Sequence, residues 1–126
     1  MRRTIAATLS AVTLLFGLAA CATAPNSAGS SGDVEVGPDA VILDVRTPEE
    51  YAGGHLEGAQ LLDFNGGEVA AAIPNLDPEA EYFVYCRSGN RSAQAIALLE
   101  QAGFSNLTNL GSLDQAAAAT GISIVR

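Results

Sequence analysis

Between residues 40 and 126 short apolar runs alternate with stretches where apolar residues recur every three or four positions. Ala40-Val41-Ile42-Leu43-Asp44-Val45 is nearly continuous and β-branched, the pattern of a strand buried on both faces. Thr47-Pro48-Glu49-Glu50 follows, with a capping threonine, a proline suited to the first helical position and a glutamate able to reach back. The Gly53-Gly54 pair predicts an early stop to that helix. Ala59 to Phe64 reads as a short strand, and Glu68 to Ile73 as a weak helix closed by Pro74. Glu81 to Tyr85 predicts a second buried strand. Ser92 to Ala102 predicts a helix, because Ala95, Leu98, Leu99 and Ala102 fall at i, i+3, i+4 and i+7. Gly103 is placed to end it in the left-handed conformation. Phe104 to Leu110 predicts a last strand, and Ser112 to Gln115 a second capping box opening a helix that Gly121 ends. Strands alternating with helices predict an α/β fold, a small parallel β-sheet flanked by helices on both faces. In such sheets a ligand sits beyond the carboxyl ends of the strands.

The chain opens differently. Met1-Arg2-Arg3 precedes an uncharged apolar run from Ile5 to Leu18, short for a bilayer span and laid out as a secretory signal. Leu18-Ala19-Ala20-Cys21 resembles the bacterial lipoprotein box, in which the cysteine is lipidated and becomes the new N-terminus. The alternative is cleavage after Ala24, giving a soluble secreted protein, although Pro25 beyond that cut suits the ordinary signal peptidase poorly. Ala22 to Gly32 is small, polar and rich in Gly, Ser and Pro, the composition of a flexible tether. The expected organisation is a signal peptide over 1–20, a lipidated Cys21 with linker over 21–33, and one domain over 34–126. That places the protein in the bacterial cell envelope, lipid-anchored to a membrane and facing outside the cytoplasm.

Six basic residues against 14 acidic give a net charge of −8, and the chain has no lysine. Nucleic acid is excluded as a partner, because phosphate binding needs clustered cations. A small anion remains possible where the few arginines gather, and Arg87 and Arg91 share one loop. Two cysteines, one histidine and no CxxC pair exclude a cysteine-built metal site and a disulfide scaffold.

That loop is Cys86-Arg87-Ser88-Gly89-Asn90-Arg91-Ser92, between a buried strand and an amphipathic helix. A loop curling into a helix start points several backbone N–H groups at one spot. A sulfur held there is stabilised as thiolate by those amides and by the arginines. Gly89 and Asn90 are residue types that tolerate the angles of a tight curl. The plain alternative is a small buried core cysteine. Against it, Cys86 opens a seven-residue polar run holding two arginines.

Three blocks carry a family resemblance: Asp44 to Tyr51, Gly54 to Ala59, and Tyr85 to Ser92. In this order they resemble a rhodanese domain of the thiosulfate sulfurtransferase type, over roughly Val34 to Val125. The resemblance implies that Cys86 takes a sulfane sulfur from a donor such as thiosulfate, becoming a persulfide. It then passes that sulfur to a thiophilic acceptor, a thiol or cyanide, without cofactor or metal. It further implies that the amides of Arg87, Ser88, Gly89, Asn90, Arg91 and Ser92 cradle the persulfide, and that Arg91 helps hold the anionic donor. His55 is usually structural in this family. Asp44 and Arg46 read as a loop brace, and Glu49, Glu50 and Glu57 as a solvated face. Only one glycine, Gly111, stands where the family often has two, and there is no tryptophan near the last helix.

Two other readings stay open: a non-enzymatic tethered module or persulfide carrier, and a cysteine-dependent phosphatase or arsenate reductase. The second is disfavoured by spacing. Four residues separate Cys86 from Arg91, where related phosphatases use five to make a cup wide enough for a phosphoryl group.

Overall fold

Residues 33–126 are described by a computed structural model. Cys21, the leader and nearly all of the linker lie outside the described residues, and the lipoprotein expectation with them. The described residues fold into ten elements and one 3₁₀ turn. They are β1 (Val41–Asp44), α1 (Pro48–Ala52), β2 (His55–Leu56), β3 (Gln60–Leu61), α2 (Glu68–Ala72), β4 (Tyr82–Cys86), α3 (Asn90–Gln101), β5 (Leu107–Ser112), α4 (Leu113–Thr120) and β6 (Ile124–Val125). The 3₁₀ turn, Ile73–Asn75, carries Pro74 and follows α2 directly.

Strands β3, β1, β4 and β5 pair in that order, all parallel. The twofold alternation of a strand sends its side chains to opposite faces, and the two faces build two cores. Leu43, Val45, Tyr82, Val84 and Cys86 pack with Val69 of α2 and Ala95 and Leu99 of α3. Ile42, Phe83, Tyr85 and Leu110 pack on the other side with Leu56, Ala59 and Ala116 of α4. Both faces are therefore covered, which is why β1 and β4 read as continuous apolar runs.

Both expected capping boxes form. Thr47 Oγ1 accepts the Glu50 amide while Glu50 Oε1 accepts the Thr47 amide, and Ser112 and Gln115 reciprocate likewise at α4. Gly103 and Gly121 take the left-handed conformation after α3 and α4. The sequence reading missed the antiparallel pairing of β2 with β6, His55 opposite Val125. Two-residue strands leave too little period to register. The last strand of the sheet starts and ends later than Phe104 to Leu110: the Phe104 amide still bonds the Leu99 carbonyl of α3, and the strand carries a bulge near its end. Val84 and Tyr85 face Asn109 and Gly111, so Leu110 is the extra residue.

Candidate active site

Cys86 closes β4, and α3 starts four residues later, so the loop lies at the carboxyl edge of the sheet. Gly89 makes the turn possible. Its φ of 91° is left-handed, and a Cβ there would stand 3.3 Å from the Cα of Gly111 on β5. Asn90, by contrast, is the first residue of α3 and exposed, and no residue other than glycine takes a positive φ among the described residues. Asn90 is therefore not needed for the turn.

The N-terminus of α3 has no side-chain cap. The sulfur takes that place: the Gly89 amide donates to Cys86 Sγ at 2.9 Å, and the Ser92 hydroxyl lies 3.5 Å away. Cys86 has no solvent exposure and packs among Leu43, Val84 and Ala95. Burial alone pushes the thiol up. The Ser92 hydroxyl and the amides of Ser92, Ser88 and Gly89 outweigh it, and the net shift is downward. The surroundings of the sulfur are thus hydrocarbon on the sheet side and hydrogen-bond donors on the loop side.

The two arginines part company. Arg91 donates from both terminal nitrogens to Glu50, at 2.8 Å to Oε1 and 3.0 Å to Oε2. This pairing, with the Thr47 bonds, lowers the Glu50 carboxyl to about 2. Arg91 still feels the sulfur electrostatically, yet its hydrogen-bonding fork is engaged. Arg87 is exposed and has no hydrogen-bond or ion-pair partner among the described residues. Ser88 is also exposed and contributes its amide. Glu50, expected on a solvated face, instead ties α1 to the start of α3. Its contact with Arg91 spans 41 residues of sequence, beyond the reach of local pattern.

Behind the loop lies a buried polar brace. Arg46 donates from Nε and one terminal nitrogen to the two oxygens of Asp44, at 2.9 and 2.6 Å, and to the Gly54 carbonyl. The Tyr85 hydroxyl donates to Asp44 Oδ2 at 2.8 Å and accepts the Leu56 amide. His55 belongs to a separate contact. Its ring stacks on Tyr51 at 3.6 Å, and its Nδ1 meets the Tyr51 carbonyl, which can only accept.

The reading of the sequence passed over Asn109. Its Oδ1 accepts the Ser92 hydroxyl at 2.7 Å and the Gly111 amide, while its Nδ2 donates to the Gly89 carbonyl. No local pattern marks its link to the cysteine loop, because Ser92 and Gly89 lie 17 and 20 residues away. A cavity of about 400 Å³ lies at the opposite, amino edge of the sheet, lined by Gly37 to Ala40, Asp77 and Glu79 to Glu81, and is separate from this loop. Among the described residues no group of side chains is arranged to hold a metal ion, and no helix is long and apolar enough to cross a membrane.

Comparison with known proteins agrees with the geometry. The chain is 44% identical over 71 residues to the thiosulfate sulfurtransferase GlpE of Pseudomonas entomophila, covering 56% of this chain and 63% of that protein. It spans less than two thirds of the length of the thiosulfate sulfurtransferases it matches, 63% here and 60% in a Pseudomonas putida relative. Among solved structures it resembles a rhodanese with anions from E. coli, with a TM-score of 0.58 and 32% identity over 69% of this chain and 98% of the other. A rhodanese-like domain protein from Staphylococcus aureus matches with a TM-score of 0.56 and 28% identity, over 69% of this chain and 82% of the other. The model of the rhodanese-like domain matches residues 33–118, which takes in the whole parallel sheet and the cysteine loop. With that span covered, the chain belongs to the rhodanese-like domain family.

Proposed function

We propose that the protein is a rhodanese-type sulfurtransferase working through a persulfide on Cys86. The observation that carries this reading is the amide-lined sulfur at the start of α3, where Gly89 donates at 2.9 Å. Donors fixed before the reaction stabilise negative charge on sulfur without reorganising. The Cys86 thiolate attacks the outer sulfur of thiosulfate, a new S–S bond forms, and sulfite leaves with the electron pair of the old one. Cyanide or a thiol then attacks the terminal sulfur, and the thiolate is regenerated.

Arg87, rather than Arg91, is free to meet the incoming anion. Cys86 itself has no exposed surface and the Arg87–Ser88 segment beside it faces solvent, which favours a small donor. The amides of Ser88, Gly89 and Ser92 then face the added sulfur. No cofactor or metal enters either displacement. Thiosulfate-dependent cyanide consumption by the purified protein tests this: Cys86→Ser should abolish it, and unchanged turnover in that variant refutes the assignment.

The anchoring reading is part of the same proposal. The Val34 amide donates to the Ala119 carbonyl, near the end of α4. The start of α4 adjoins Ser112, the register partner of Cys86. A lipid on Cys21 would then tether the domain through a linker that enters it beside Ala119, roughly 10 Å along α4 from Ser112. Incorporation of labelled fatty acid, lost in Cys21→Ser, tests the anchor.

A further inference from the structure

The Ser92 hydroxyl has one proton and two acceptors. Asn109 Oδ1 stands at 2.7 Å, a full-strength bond, and Cys86 Sγ at 3.5 Å. The orientation of the Asn109 amide is set independently, since the Gly111 amide must meet an oxygen and the Gly89 carbonyl must meet an N–H donor. Ser92 itself is fully buried, so water does not supply a third partner. While the sulfur is a neutral thiol, the proton belongs to Asn109.

We infer that Ser92 is a one-proton switch, and that Asn109 is a positioning residue that sets the reactivity of Cys86 by competing for that proton. When Cys86 ionises, its own proton leaves to solvent. The Ser92 hydroxyl turns from Asn109 to the sulfur, where a charge-assisted bond replaces a neutral one. Asn109 Oδ1 keeps the Gly111 amide after the turn, and the Gly89 carbonyl keeps the Ala93 amide, so the loop holds in both states. No bond to carbon or sulfur changes in this step.

The inference rests on the sulfurtransferase reading only for the reaction it serves. Its test is the pH dependence of Cys86 alkylation by iodoacetamide in the full-length protein, followed by mass at the peptide that contains Cys86. Ser92→Ala removes the donor to the thiolate and should raise the midpoint by about one pH unit, a tenfold slower alkylation below it. Asn109→Ala removes the competitor and should lower the midpoint. In the Ser92→Ala background the same change should have no effect. A purely structural role for Asn109 would move both single variants the same way.

Asn109 is exposed, which favours a folded variant. Asn109→Asp retains the acceptor, adds charge, and should raise the midpoint. A midpoint that is unmoved or raised in Asn109→Ala, or unmoved or lowered in Asn109→Asp, overturns the inference. Alkylation reports ionisation without sulfur transfer. Expected shifts in a protein that transfers no sulfur would therefore leave this inference standing and remove the functional one.

Discussion

Arg91 and Glu50, 41 residues apart in sequence, form a two-point ion pair that ties the helix after β1 to the helix after the cysteine loop. The same carboxylate closes the capping box of α1 with Thr47. One side chain thus stabilises a helix start and positions the loop. Glu50→Gln retains the shape and part of the cap but loses the charge. It should cost about 1 kcal/mol, since the pair is partly solvated, measured by urea denaturation at neutral pH.

The same pair makes stability depend on pH. The Glu50 carboxyl is held at about 2 in the folded protein against 4.5 for a free side chain. A group lowered on folding contributes fully above its unfolded value and loses that contribution as pH falls through the folded one. The urea midpoint should therefore fall between pH 4.5 and 2, more steeply than in Glu50→Gln. Parallel titration curves for the two proteins would contradict this.

How much of this was legible beforehand follows distance along the chain. The capping boxes at Thr47 and Ser112 were readable because their partners lie three residues apart. Strands β1 and β4 were readable because burial on both faces leaves no polar alternation. The cysteine loop stood out as a polar run between a strand and a helix. The Arg91–Glu50 pair, the Tyr85–Asp44 bond, the β2–β6 pairing and the bonds of Asn109 were not readable. Each depends on sheet order and register, which bring together residues that local pattern treats as unrelated. Arg91 shows the consequence: its position beside the cysteine suggested an anion ligand, and the fold gives its fork to Glu50.

Tyr85 tests the buried brace. Its hydroxyl both donates to Asp44 and accepts the Leu56 amide. Tyr85→Phe leaves that buried amide unpaired and removes a donor from a buried carboxylate. The expected loss is about 2–3 kcal/mol of stability, read by denaturation. A loss within error of zero would mean that water takes the place of the hydroxyl.

Gly89 tests the turn itself. Gly89→Ala places a side chain in a left-handed conformation and against the Gly111 backbone. Backbone strain of about 1–2 kcal/mol is expected from the conformation alone. The displaced amide should slow sulfur transfer at least about tenfold, since a lost charge-assisted bond to sulfur is worth more than 1.4 kcal/mol. Steady-state assays at fixed pH check it.

Arg87 tests the route of the donor. It is the exposed guanidinium without a partner among the described residues, and in the proposed reaction it would meet the anion before and during binding. Arg87→Ala should raise the KM for thiosulfate severalfold with little change in kcat, and should flatten its dependence on salt. A fall in kcat at unchanged KM would place Arg87 in the chemical step instead.

The most direct measurement of the central claim is the intact mass of the protein after incubation with thiosulfate and removal of the excess. The account predicts a gain of one sulfur atom, located at Cys86, lost on addition of cyanide and absent from Cys86→Ser. No gain, or a gain that persists in Cys86→Ser, would contradict it.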